Sequence, residues 1–419
     1  MLNWHSIAPR LISLGEKPLT ARERGFTAAL LAVLEGDAPP PFAVRRFLPL
    51  PTLSYDRRDL HTGAPAERDF GAHVDQTNYS VVVDEKVVVK WMTPPVPLPH
   101  PAPDILAHLV EAGFNDTAPP YAALTGPVDG RDCLLALVTG YLPGARDGWE
   151  WCVDEAQAGT TAFAADLGRL TADLHLALAT LPPPTAAPLP ENGPTPALLT
   201  STDTPTGAGR PGAGTASTRA AEPGATSAAA RAEGALAEAL EVTDGEDGRW
   251  LAARAQDLRR DLAALSRRPI TTPRVRIHGD LHVGQILRWR DGYAVIDFDG
   301  NPTVTDADPH QPPARDVAQL TTSLEHAAQV AIKRRGTPPE AAAAWAAEAR
   351  AIMVTAYKAR LTARNRPDLL DETLIRPFEV EQECRELIYA ARHLPRWRYA
   401  PMGVLRTWYP EQNPEENIA

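Results

Sequence analysis

Residues 278–301 read HGDLHVGQILRWRDGYAVIDFDGN, and no other stretch limits the fold of this chain as strongly. Two carboxylates, Asp280 and Asp297, bracket a turn-rich hairpin. Asp280 follows a short strand candidate, Val275–Ile277, in a loop that opens with a glycine. Asp297 lies at the end of a β-branched, apolar strand candidate, Tyr293–Phe298. An amide, Gln285, stands five residues after Asp280. One carboxylate can orient an attacking hydroxyl and take its proton. A second can hold magnesium against the β- and γ-phosphates, and an amide oxygen is a hard neutral ligand that completes the shell. Phosphoryl transfer from ATP asks for this set, with Asp280 catalytic and Gln285 and Asp297 as Mg²⁺ ligands. Competing motifs fail. His278 and His282 have metal-like spacing, but no third ligand stands nearby. There is no GxxxxGK[ST] and no GxSxG, and the GxGxxG match at Gly207–Gly212 contains Pro211 and follows no strand.

Composition narrows the partners. With 42 basic against 53 acidic residues the chain carries a formal charge of −11, which argues against a nucleic-acid binder. Cys133, Cys152 and Cys384 have no CxxC spacing, so neither a disulfide framework nor a zinc ribbon is expected. The N-terminus has no signal-peptide pattern, and no run of 18 apolar residues occurs. A cytoplasmic monomer without nucleic-acid or membrane partners is expected.

The pattern HxD-x4-[N/Q], an apolar strand and a DFDG turn resembles the catalytic and metal loops of the protein-kinase-like fold. That resemblance implies an α+β, bilobal molecule. The chain divides accordingly into an N-terminal cap (1–66), a small β-rich nucleotide-binding lobe (67–140) and a mainly α-helical lobe (141–419). The helical lobe carries a low-complexity insertion at 183–230, rich in Ala, Pro, Gly, Thr and Ser. In the β-rich lobe, Asn78–Val83 and Lys86–Met92 form a hairpin through Asp84-Glu85. The proline-rich TPPVPLPHPAP ends before a helix at Asp104–Ala112. Lys90 ends an apolar strand, where burial without an anion is costly, so it is expected at the phosphates. Asp104 is its expected partner, with Glu111 as the alternative. Gln76, Asn78 and Ser80 stand where a glycine-rich loop would cover the phosphates. Adenine is expected near Val138–Tyr141, with Val138 and Gly140 supplying backbone contacts.

Longer segments are similar to the actinobacterial maltokinases, which have the aminoglycoside-phosphotransferase fold. They are DQTNYSVVV (75–83), ARDGWEW (145–151), HGDLHVGQIL (278–287), DFDGNP (297–302), ARDVAQL (314–320) and FEVEQECRELIYAARHLPRW (378–397). Maltokinases usually read DFEGEP at 297–302, with Lys where Gln382 stands and Tyr where Arg385 stands. The changed set resembles the actinobacterial glucosamine kinases, a sister group. This implies phosphorylation of D-glucosamine by ATP to glucosamine 6-phosphate. Maltose or an aminoglycoside remains an alternative acceptor, and a regulatory pseudokinase an alternative of another class. A cationic amino sugar asks for carboxylates. The helix at 378–393 places Glu379, Gln382, Glu383, Glu386 and Tyr389 on one face. The expected acceptor pocket comprises Asp280, His282, Asp299, Asp306, Arg315, Gln382, Glu383, Glu386 and Trp397. Which acid meets the amine is open at this stage.

Overall fold

The computed structural model describes residues 4–12, 14, 21–53, 66–70, 78–182, 227–267, 269–290, 292–301 and 308–410. Alternating and continuous apolar runs in the first third build one antiparallel sheet. Its strands are β1 (Ala43–Arg46), β2 (Glu67–Asp69), β3 (Tyr79–Val83), β4 (Val87–Pro97), β5 (Pro120–Val128) and β6 (Arg131–Gly140). They lie in the order β1-β5-β6-β4-β3-β2. The β3–β4 turn spans three residues between the paired Val83 and Val87; Asp84 and Glu85 both adopt positive φ, 55° and 49°, and the Lys86 amide donates to the Val83 carbonyl at 3.1 Å. The proline-rich stretch does not end β4 at Met92 as expected. Among the described residues the strand pairs beyond Trp91 with β6 alone, through Val96↔Leu134 and Pro97↔Cys133.

The cap and the β-lobe share one core. Helices α1 (Trp4–Ile12) and α2 (Phe26–Val33) cover one face of the sheet, with Phe26 stacked on Trp91 at 5.3 Å. The indole N–H of Trp91 donates to Thr27 Oγ1, 3.1 Å. Glu67 of β2 accepts from the Gly25 and Ala28 amides at the start of α2, at 2.6 and 2.5 Å. These amides have no partner inside the helix, so the carboxylate both caps it and suits its dipole. Strand β1, assigned by sequence to the cap, is an edge of the β-lobe sheet (Ala43↔Thr125). The boundary at residue 66 therefore does not separate two packing units.

The other sheet face meets α3 (Pro101–Glu111) and merges with the core of the helical lobe. That lobe contains α4 (Gly148–Ala158), α5 (Phe163–Leu178), α6 (Ala228–Val242), α7 (Gly245–Leu262), α8 (Ala264–Arg267), α9 (Ala314–Val330), α10 (Pro339–Ala363), α11 (Ile375–Arg392) and α12 (Tyr399–Trp408). Helix α6 opens at Ala228, so the last residues of the expected insertion are helical; 183–226 lie outside the described residues. The apolar stripe of α5, with Leu167, Leu174 and Leu178 fully buried, packs against α10. Each such side chain contributes roughly 1.5–3 kcal/mol. Between the helices, β7 (Val275–Arg276) pairs with β10 (His310–Gln311), and β8 (Ile286–Trp289) with β9 (Gly292–Val295). Bridges from Thr117 to Val295 and from Arg146 to Arg288 tie the lobe connections to this hairpin.

Candidate active site

The loop between β7 and β8 holds Asp280 at the junction of the lobes, and its shape is imposed by a buried acid. Asp316, in the first turn of α9, has no exposed side-chain surface. Its two oxygens accept the His278 and Gly279 amides, at 2.8 and 2.9 Å, and lie 3.1 Å from His175 Nε2. Burial alone would raise this carboxyl. The hydrogen bond from His175 and the nearby histidine and amide groups hold it below its usual range. His175 in turn contacts the Tyr357 hydroxyl through Nδ1, at 2.7 Å. His278 Nδ1 accepts the Asp280 amide, 3.3 Å, so the ring donates from Nε2 to the Ile296 carbonyl, 3.0 Å. The catalytic loop and the strand leading to Asp297 are thus fastened together.

Asp280 Oδ1 accepts from Gln319 Nε2 at 2.7 Å and Asn301 Nδ2 at 3.1 Å. Both donors orient the carboxylate and leave Oδ2 facing His282 Nε2, at 3.8 Å. Burial pushes the Asp280 carboxyl up to about 6, against the opposing influence of His278 and Gln319. A base poised there is ionised at neutral pH yet readily takes a proton.

The backbone carbonyl of Gln285 accepts the Ile296 amide, 2.9 Å, which ties the Gln285 backbone to the strand leading to Asp297, while its side-chain amide lies 3.5 Å from His282 Nε2. Asp297 has φ 65°, a left-handed conformation that aspartate tolerates better than most residues. Lys90 Nζ lies 2.6 Å from both Asp297 Oδ1 and Asp299 Oδ2. Burial lowers and these two carboxylates raise the Lys90 ammonium, with a net rise. Asp280, Asp297 and Asp299 together exceed the single charge of Lys90, and Asp299 Oδ1 is buried with no hydrogen-bond partner among the described residues. Among the described residues no three acidic, histidine or cysteine side chains form a metal site by themselves; a divalent cation held by Asp297 and Gln285 would take its remaining ligands from phosphate and water. A small apolar cluster, Ala118, Leu142 and Ala294 with Leu287 and Ile296 against it, lies where the lobe connections meet the β8–β9 hairpin.

On the other side of Asp280 the wall is aromatic. Trp149 of α4 stacks on His282 with centroids 5.7 Å apart, and Trp397 meets Trp149 edge-on at 5.9 Å. The close fit requires glycines. A Cβ on Gly148 would lie 1.7 Å from the Val283 carbonyl oxygen, and one on Gly284 2.6 Å from Trp149 Nε1. Trp397 Nε1 donates to Glu386 Oε2 at 2.9 Å, and Gln382 Nε2 to Glu386 Oε1 at 3.0 Å. Glu386 is half-buried and faces the catalytic loop: its charge opposes ionisation of Asp280, and at His282, which burial holds below its usual range, it acts against that burial.

With this geometry in place, comparison with known proteins decides the family. Residues 68–330 match the phosphotransferase enzyme family (APH). The chain belongs to this family. Glucosamine kinase from Streptacidiphilus jiangxiensis is 38% identical over 379 residues, covering 84% of this chain and 76% of that protein. Glucosamine kinase from Mycolicibacterium smegmatis is 36% identical over 352 residues, covering 79% and 77%. A solved structure of a glucosamine kinase in complex with glucosamine, ADP and inorganic phosphate superposes with a TM-score of 0.70 at 32% identity, over 95% of this chain and 89% of that one. The kinase-like fold with a β-sheet lobe and a helical lobe, expected from the sequence, is the fold of this phosphotransferase.

Several expected site residues of the phosphotransferase are placed elsewhere. Asp104 is not the partner of Lys90: it is exposed and pairs with Arg45, because α3 begins earlier, at Pro101, with His100 as its cap. Val138 is buried between β4 and β5, the Gly140 amide donates to Pro119 at 2.7 Å, and the Tyr141 amide to Lys86 at 2.8 Å, so these donors are not available to adenine. Asn78 Oδ1 accepts the Thr93 amide at 3.3 Å and is tied to β4. Ser80 stands opposite Lys90 on the neighbouring strand, on the same face. Asp299 lies on the Lys90 side, not in the acceptor pocket. Arg315 pairs with fully buried Glu381 at 2.9 Å over the Phe378 ring. Glu383 is fully buried and paired with His326 at 3.0 Å, so it does not line the pocket. Gln76 and Asp306 lie outside the described residues. The residues that sequence reasoning missed are His100, Trp149, Asn301, Asp316 and Gln319. For Trp149, Asp316 and Gln319 the signal was present in ARDGWEW and ARDVAQL, strings used for resemblance and not read for roles.

Proposed function

We propose that this ATP-dependent phosphotransferase transfers the γ-phosphoryl group of ATP to O6 of D-glucosamine, giving ADP and glucosamine 6-phosphate. The observation that carries the acceptor is the Glu386 carboxylate. It is fixed by Trp397 and Gln382, half-buried, on the aromatic wall beside Asp280. An amino sugar is largely cationic near neutral pH, and a preoriented carboxylate in a partly desolvated pocket favours it over a neutral hexose. Trp149, His282 and Trp397 supply apolar faces for the ring.

Asp280 Oδ1 is occupied by Gln319 and Asn301, so Oδ2 is the oxygen left to accept the proton of the 6-hydroxyl. The hydroxyl oxygen forms its bond to the γ-phosphorus as the bond to the β-phosphate oxygen breaks. Lys90 contacts the α- and β-phosphates and offsets charge on the leaving group. Mg²⁺, held by Asp297 and Gln285, would neutralise phosphate charge when bound. All three cysteines are free and buried, which supports a reducing, ATP-supplied compartment such as the cytoplasm.

The test is a coupled ADP-release assay with glucosamine, glucose, N-acetylglucosamine, maltose and kanamycin, with the product located by NMR. Turnover is expected to be strongest on glucosamine, with phosphate on O6. Preferred turnover of maltose or kanamycin would overturn the acceptor assignment.

A further inference from the structure

We propose that His100 is a positioning residue for the phosphate-contacting lysine and acts on it through Asp299. The inference rests on the phosphotransferase reading above and names a partner of that site. In kinase-like sites the strand lysine is held by an acid on the following helix. Here α3 supplies no such acid. Asp104 pairs with Arg45, and Glu111 is exposed at the far end of the helix. Lys90 is held instead by Asp297 and Asp299, each at 2.6 Å. Asp297 is the residue that a metal would claim, which leaves Asp299 as the lasting partner of Lys90.

The second oxygen of Asp299 points back to α3. Oδ1 is buried, has no hydrogen-bond partner among the described residues, and lies 3.9 Å from His100 Nε2. The His100 side chain is only 8% exposed. Its Nδ1 accepts the Ala102 amide at 3.3 Å and so caps α3. The neutral ring therefore carries its proton on Nε2, the edge that faces Asp299. One imidazole thus ends the helix and meets the acid that holds the lysine. His100 and Lys90 belong to the β-lobe and Asp299 to the helical lobe, so lobe closure by about 1 Å would bring the pair to hydrogen-bond distance. The orphaned oxygen would then gain its partner as the nucleotide is enclosed.

Asparagine separates the two roles of His100. It is a good helix cap, but it cannot reach Asp299. His100→Asn is expected to keep the thermal midpoint, to weaken ADP binding measured by calorimetry without acceptor by about tenfold, and to raise KM for ATP similarly, with KM for glucosamine unchanged. His100→Ala, which removes both roles, should weaken ADP equally but also lower the thermal midpoint. In the Asp299→Asn background, His100→Asn should have no further effect. Wild-type ADP affinity and KM for ATP in His100→Asn, or additive effects in the double variant, would overturn the inference. Should His100→Asn fold poorly, Asp299→Asn with and without His100→Gln decides the same coupling. The ADP measurement needs no acceptor. Wild-type protein that binds ADP but leaves glucosamine untouched would therefore refute the acceptor reading alone, whereas an active enzyme indifferent to His100→Asn would refute only this inference.

Discussion

Asp280→Asn should abolish turnover and at the same time stabilise the protein. The amide keeps an oxygen to accept from Gln319 and Asn301, so the local hydrogen bonds survive. What is lost is a charge that burial disfavours. The carboxyl rises from 3.8 to about 6 in the folded state. That is roughly 2 pH units, or about 3 kcal/mol at 1.36 kcal/mol per unit, borne by the native state once the group is ionised. The side chain is 19% exposed, so screening by solvent removes little of it. The folded state binds the proton more tightly than the unfolded chain does. The penalty is therefore absent below the unfolded value, grows as pH rises between it and about 6, and is complete above. Urea unfolding of Asp280→Asn should show a gain of about 3 kcal/mol at pH 8 and about half that at pH 5. Wild-type kcat should fall below about pH 6 as the base is protonated. A variant no more stable than wild type at pH 8, or equally stabilised at both pH values, would refute the argument that burial sets this carboxyl. Retained turnover would remove Asp280 from its role.

Two further substitutions test the walls of the site. Glu386→Gln keeps an acceptor for Trp397 but removes the charge. It should lower kcat/KM for glucosamine by about 10- to 100-fold and leave that for glucose nearly unchanged; equal losses on both sugars would show that Glu386 does not read the amine. Asp316→Asn leaves one carbonyl oxygen where two oxygens now serve His278, Gly279 and His175, so one donor faces an NH₂ group. It should cost about 1–3 kcal/mol of stability and lower kcat more than tenfold with little change in KM, and wild-type kcat in a soluble variant would show that the loop holds its shape without this acid.

The chemistry of the site was legible where it is contiguous in sequence and hidden where distant helices complete it. Asp280, Gln285 and Asp297 are joined by one hairpin, and the backbone bond between Gln285 and Ile296 follows from the hairpin itself. Gln319 and Asp316 come from α9, and Trp149 from α4. Only packing of those helices onto the loop brings them to Asp280. The acidic face of α11 shows the limit of periodicity. Spacing puts Glu379, Gln382, Glu383 and Glu386 on one side of the helix, but that side is wide and its neighbours divide it. Glu379 is taken into the core by Thr321 at 2.7 Å and Arg350 at 2.9 Å, and Glu383 by His326. Gln382 and Glu386 alone of these four engage each other and Trp397 beside the catalytic loop.

Lys90 lies on the expected strand but not at its end, since β4 continues seven residues past it, and its partner is not the expected one. A largely buried lysine in an apolar strand must meet an anion, and the sequence offers several within reach of any plausible packing. The sequence pattern puts Asp104 at the opening of the helix after the strand. In the structure β4 runs on through Pro97, and the chain turns into α3 at His100, so Asp104 falls inside the first turns and outside the cleft. Extending the strand puts a histidine at the helix entry in place of the acid. The negative charge for Lys90 then has to come from the opposing lobe. Aspartate at position 299, two residues beyond Asp297 on the same turn, is where the chain supplies it. The lysine is thereby bound across the cleft and not within its own lobe, so its position depends on how far the lobes are closed.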